Sequence, residues 1–199
     1  MSDFFDVVHR QRACRQFADR DLDDVTVATI LDAATFAPSA ENRQPWVFVV
    51  VRDRATQASI HDLTEKAWVA GGRDFAAQRL DDKLLADVDA GVTGGGYRGA
   101  PVLVVVAADT QRCLEATISS STYPATQNLL LAATALGVGS ALTTLTTAFS
   151  DELRELLGLP AHVVPQVVVP LGHPAKELAP PRREPFAEHT HRERYGTPW

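Results

Sequence analysis

Three short stretches are almost continuously apolar: Trp46 to Val51, Pro101 to Ala107 and Val163 to Leu171. Their length and their β-branched residues predict buried strands. Pro170 predicts that the third ends near a sheet edge, because proline cannot donate to a ladder. Helical spacing governs most of the remainder. Ser2 is placed to cap a first helix reaching about Gln11, with Phe4, Phe5, Val7 and Val8 on its apolar side. Arg12 to Phe17 alternates like a short extended piece. Asp23 or Asp24 then caps a helix carrying Val27, Ile30, Leu31 and Ala34, and Pro38 ends it. Residues 54 to 91 read as helical and polar, with Leu80, Leu84, Leu85 and Val88 as one stripe and an interruption at Ala67 to Gly72. The helix from about Ser119 to Leu136 is apolar on every side, which predicts cover all round and points to a partner subunit. Ser150 is expected to cap a short helix that stops at Gly158-Leu159-Pro160. Gly172 onward is rich in Pro, Arg, His and Glu and predicts an arm lying over something else.

The length of 199 residues suits one domain, 1–199, with 172–199 as the extended arm. No run is long enough to span a bilayer, and acidic residues occupy the N-terminal positions where a signal peptide needs basic ones. The expectation is a cytoplasmic protein with no membrane partner. The net charge of −6 argues against nucleic acid. Positive charge is nevertheless concentrated in two islands, Arg10, Arg12, Arg15 and Arg20 near the start and Arg182-Arg183 in the tail. Taken singly, each arginine reads as solvated surface. Two islands at opposite ends of an acidic chain predict a local anion site, since guanidinium forks match phosphate oxygens.

Several motifs carry no chemistry. Cys14 and Cys113 form no CxxC pair and read as reduced side chains. Gly94-Gly95-Gly96-Tyr97-Arg98-Gly99 matches GxGxxG but precedes its strand, whereas a dinucleotide fingerprint follows one, so it is expected to be a mobile loop. His189 and His191 lack companion ligands, so no metal site is expected. No GxSxG elbow is present. The stretch Pro38 to Trp46 is more suggestive. It is held between two prolines and carries Ser39, Asn42 and Gln44, neutral groups that can bond an uncharged polar edge such as a flavin ring or ribityl chain.

Together these pieces resemble the flavin-dependent nitroreductase family. Arg12-Ala13-Cys14-Arg15-Gln16-Phe17 is similar to its Arg-Ser-x-Arg-x-Phe segment, and Ala37 to Trp46 to its Ala-Pro-Ser-x-x-Asn-x-Gln-Pro-Trp stretch. Leu136-Gly137-Val138-Gly139-Ser140, Leu157-Gly158-Leu159-Pro160, Leu171-Gly172-His173-Pro174 and Arg182-Arg183-Glu184-Pro185-Phe186 match as well. The resemblance implies an α+β fold, a mixed β-sheet flanked by helices, built as an intertwined homodimer with FMN at the subunit interface. It implies that Arg12, Ala13, Cys14 and Arg15 hold the phosphate and the pyrimidine side of the ring, and that Arg183 closes over the phosphate. Pro38, Ser39, Ala40 and Asn42 would come from the other subunit. Thr143, Thr144 and Leu145 would lie near N5 and O4, through backbone N–H groups.

The implied activity passes electrons from NADH or NADPH through FMN to a nitro, quinone or related small-molecule acceptor. No side chain acts as a catalytic acid or base, because the cofactor carries the chemistry. Other roles on the same fold are a flavin store or sensor with poor turnover, flavin breakdown and dehalogenation; a deazaflavin could replace FMN. The sequence departs from the family pattern in having Gln11 where many members have arginine, Ala13 in place of serine, and no Glu-Gly pair in Leu142 to Leu145.

Overall fold

The computed structural model describes residues 3–199. The elements in chain order are α1 (Phe4–Arg10), α2 (Asp24–Thr35), β1 (Trp46–Val51), α3 (Arg54–Ala67), α4 (Arg73–Ala77), α5 (Asp82–Val92), β2 (Val102–Asp109), α6 (Ile118–Ala135), β3 (Gly139–Ser140), α7 (Ser150–Leu156) and β4 (Val163–Gly172). The strands form one sheet in the order β1-β2-β4-β3, each neighbouring pair antiparallel. A single parallel bridge joins Ala13 to Ser140 beside β3 and makes the sheet mixed at that edge. The α+β architecture of the sequence analysis is therefore present.

β2 explains the layering. Val102 to Ala108 are all buried, so the strand is covered on both faces and needs no polar alternation. Its alternate side chains divide between two cores, as a period of two requires. Val102, Val104 and Val106 pack with Ile30 and Ala34 of α2 and Leu129 and Ala133 of α6. Leu103 and Val105 pack with Ile60 of α3, Leu153 of α7 and Val168 of β4.

α6 is covered mainly from within the chain, by α2 on one side and the sheet on another. Tyr123 and, just beyond its end, Leu136 stay exposed and are left uncovered within the chain. Asp23 caps α2 by accepting the Thr26 N–H at 2.7 Å, as its position predicts. Ser2 lies outside the described residues. Ser150 is not a cap but the first helical residue of α7, because the 3-10 turn Leu145–Phe149 runs straight into that helix. Gly158, at φ +62°, closes its end.

Pro170 lies not near a sheet edge but in β4, between β2 and β3. The physical reason is local. Val168 exchanges main-chain bonds with Thr143 on the β3 side, at 2.9 and 3.0 Å. Position 170 faces the same way, toward residues 141–142, where the chain has left the sheet and no acceptor waits. Pro165 sits at the β-bulge opposite Val106 and Ala107, another place that tolerates a missing donor.

Candidate functional site

Residues 12–17 run extended along the β3 edge. Cys14 N–H donates to Ser140 O at 2.8 Å, and Gly139 permits the approach: a Cβ there would stand 2.7 Å from Cys14 Sγ. The glycine of the Leu-Gly-Val-Gly-Ser stretch is thus what lets the arginine segment lie on the sheet. Cys14 itself is buried, its thiol pushed up by that burial, and its Sγ–H donates to Gln16 O at 3.2 Å.

Two arginines leave this seam on different tethers. Arg12 Nη1 donates to Ala179 O at 2.8 Å, and Arg15 Nη1 to Asp87 Oδ2 at 2.6 Å. Both Nε–H groups are buried without a partner, as is Oγ of Ser140, which bridges to Ala13. An unmet buried donor costs about 1–3 kcal/mol. Three such atoms at one seam fit a ligand that brings polar groups to it. Beside it opens a cleft of about 340 Å³ lined by Arg10, Arg12, Lys176, Glu177 and the Gly137–Gly139 backbone. Arg10 is also held by Asp6 at 2.8 Å. This concentration of cations in an acidic chain suits a phosphate.

Thr143 to Leu145 belong to the same neighbourhood. Ala13 and Leu145 both pack against the buried group of Trp68, Val92, Tyr97 and Ala141. The turn is pinned from behind by the buried hydroxyl pair Thr64–Thr146 at 2.7 Å. Of the backbone N–H groups that the resemblance places near N5 and O4, two have partners within the chain. Thr143 N–H is given to Val168 O, and Leu145 N–H to Thr143 Oγ1 at 3.3 Å. Thr144 is the exposed member.

Pro38, Ser39, Ala40 and Asn42 lie elsewhere. They lead into β1 at Trp46, which pairs with Ala108 at the end of β2, whereas Ser140 pairs with Leu171 opposite Val102 at its start. Three strand spacings across the sheet and six residues along it separate the groups by roughly 25 Å. Within one chain they do not meet. The loop is nonetheless rigidly made. Glu41, Asn42 and Gln44 all have positive φ, near +50°, which is unusual away from glycine. Gln44 N–H donates to Ser39 Oγ at 3.0 Å, and Ala40 N–H to Ser121 Oγ at 3.2 Å, fastening the loop to α6. Ser39 keeps its hydroxyl proton available to donate, and Asn42 and Gln44 are exposed.

Arg183 is exposed on the tail, its Nη1 donating only to Arg182 O. The tail is tied along the arginine segment at Ala18, Gln16 and Arg12, through His173 O, Ala175 N–H and Ala179 O respectively. That path brings Lys176 to the cleft, a cation the sequence did not single out. Asp87, Tyr97 and Ser140 were missed too, because each meets the arginine segment only through long-range packing. Among the described residues no group of His, Cys, Asp and Glu is arranged to hold a metal, and no helix is long and apolar enough to cross a membrane.

Comparison with known proteins adds to this geometry. The nitroreductase family model matches residues 8–173. A protein of Archaeoglobus fulgidus named as an NADH dehydrogenase/NAD(P)H nitroreductase is 32% identical over 191 residues, covering 89% of this chain and 88% of its own. An NADH dehydrogenase of Thermus thermophilus is also 32% identical, covering 89% of each chain. A nitroreductase structure from Desulfovibrio desulfuricans in complex with FMN superposes with a TM-score of 0.72 at 26% identity, over 98% of this chain and 99% of that one.

Proposed function

Since the chain belongs to the nitroreductase family, we propose that it is an FMN-dependent NAD(P)H oxidoreductase, working as a homodimer and passing electrons to a nitro, quinone or related small-molecule acceptor. The observation that carries this reading is the seam of unmet donors, Arg12 Nε and Arg15 Nε, beside the cationic cleft. FMN fits it chemically, having one dianionic end and one neutral polar ring.

When bound, FMN supplies the redox chemistry, accepting an electron pair from the nicotinamide and passing it on. The chain's residues bind and orient. Arg12 takes the phosphate, with Lys176 and Arg10 near the same cleft and Arg183 closing from the arm of residues 172–199. Arg15 would hold the pyrimidine edge, where its charge would favour the electron-rich form of the ring. The pinned turn at Thr143–Leu145 would lie against the ring near N5 and O4. Ser39 and Asn42 of a second copy complete the polar edge, which one chain alone cannot do across 25 Å. The chain acts as a single domain, and its exposed Phe4, Phe5 and Leu136 are apolar area available to that second copy.

The test is direct. Purified protein titrated with FMN turns yellow and retains the colour through gel filtration, and NADH or NADPH added without oxygen bleaches it. Protein that stays colourless, or retained flavin that neither nicotinamide bleaches, contradicts the proposal.

A further inference from the structure

We propose that Asp87 is a positioning residue that partly neutralises Arg15 and so holds down the reduction potential of the bound flavin. This rests on the cofactor reading above. Asp87 Oδ2 receives Arg15 Nη1–H at 2.6 Å, the Arg15 side chain being 17% exposed and that of Asp87 36%. The pair spans 72 positions in sequence, and a socket fixes its geometry. Gly91, one turn beyond Asp87 on α5, lies against the Arg15 stem, so that a Cβ there would stand 3.0 Å from Arg15 Cβ. Gly96 lies on the Arg15 main chain, where a Cβ would fall 2.1 Å from its carbonyl oxygen and 2.7 Å from Ala90 O. Tyr97, buried next to Gly96 in the cluster that Ala13 packs against, anchors the loop there.

The glycine-rich loop expected to be mobile is therefore the closing wall of this socket. A side chain at position 96 would push the loop off Arg15.

The electrostatic consequence follows from distance. An isolated guanidinium acts on the ring as a full charge, whereas one paired at 2.6 Å acts mostly as a dipole, whose influence falls off faster. A negative carboxylate near the pyrimidine edge further disfavours the reduced, anionic ring. Asp87 thus sets Arg15 in place and lowers what its charge contributes.

Asp87→Asn separates the two roles, because the amide oxygen still accepts the Arg15 hydrogen bond at nearly the same shape while the charge is gone. The measurements are the FMN dissociation constant by fluorescence titration and the midpoint potential against a reference dye. Asp89→Asn, two residues along the same helix but on another face and paired to Arg73 and Trp68, controls for loss of any one charge. Asp87→Asn should bind reduced FMN about tenfold more tightly relative to oxidised FMN, a rise of roughly 30 mV for a two-electron couple, while Asp89→Asn changes that ratio less than twofold. A change below twofold in Asp87→Asn, or an equal change in both variants, overturns the role of Asp87. Wild-type protein that takes no FMN overturns the function itself, a separately visible outcome.

Discussion

Replacing Arg12 and Arg15 together by glutamine should weaken FMN binding by roughly two to four orders of magnitude. Each charge-assisted bond contributes about 1.5–3 kcal/mol, and two of them convert to that range at 1.4 kcal/mol per tenfold. Neither change strikes the core. Arg12 is tied to the tail by one bond to Ala179 O, and Arg15 leaves a partly exposed Asp87 behind. Fluorescence titration of FMN reads the loss, and circular dichroism shows that the fold persists. A decrease smaller than tenfold in a folded double variant would mean that the anion is held elsewhere. Arg183→Gln should have the smaller effect of the arginine changes, since the guanidinium is exposed and must be ordered on binding.

The second large effect concerns acid stability and lies at His61. This residue sits in α3, buried, with Nε2 lacking a partner. Burial lowers its pKa from the ordinary 6.5 to about 4, helped by the charges of Arg98 and Arg54 and opposed by Asp62. The folded value lies below the unfolded one, so between these values the unfolded chain binds the proton that the folded chain refuses. Stability is fully present above about pH 6.5 and declines as the pH falls toward 4, by about 3 kcal/mol at pH 4. Urea unfolding of the wild type and His61→Leu at pH 7, 5.5 and 4.5 isolates the contribution, because every other titrating group is common to both. The variant should lose less stability on acidification. Parallel loss in the two proteins would place the acid sensitivity at other groups.

Three of the four strands were legible from their short, β-branched apolar runs; β3, only Gly139–Ser140, reads as a turn in the sequence. Pro101 to Ala107 reads as a buried strand, and the structure covers Val102 to Ala108 on both faces. Asp23 was legible as a cap because its hydrogen bond closes within three residues. Errors arose where a local rule depended on distant context. Pro170 looks like an edge signal until residues 141–142 leave the sheet beside it. Ser150 looks like a cap until the turn before it proves already helical. The Gly94–Gly96 run looks mobile until Arg15, some eighty positions earlier, fills the space against it.

The candidate site divides in the same way. The arginine segment and the Pro38–Asn42 loop could be named from sequence, the first by charge in an acidic chain and both by family resemblance. What each arginine leans on could not be named. Asp87 reaches Arg15, and Lys176 reaches the Arg12 cleft, only through the packing of α5 and the path of the tail.

The reading as a whole depends on two copies of the chain sharing each flavin, since the arginine seam and the polar loop stand at opposite corners of one sheet. Sedimentation velocity of the FMN-loaded protein, followed in both the protein and the flavin absorption bands, tests this most directly. Flavin should travel only with a species of twice the chain mass and be released when dilution separates the subunits. Flavin that travels with a single, undissociated chain would contradict it.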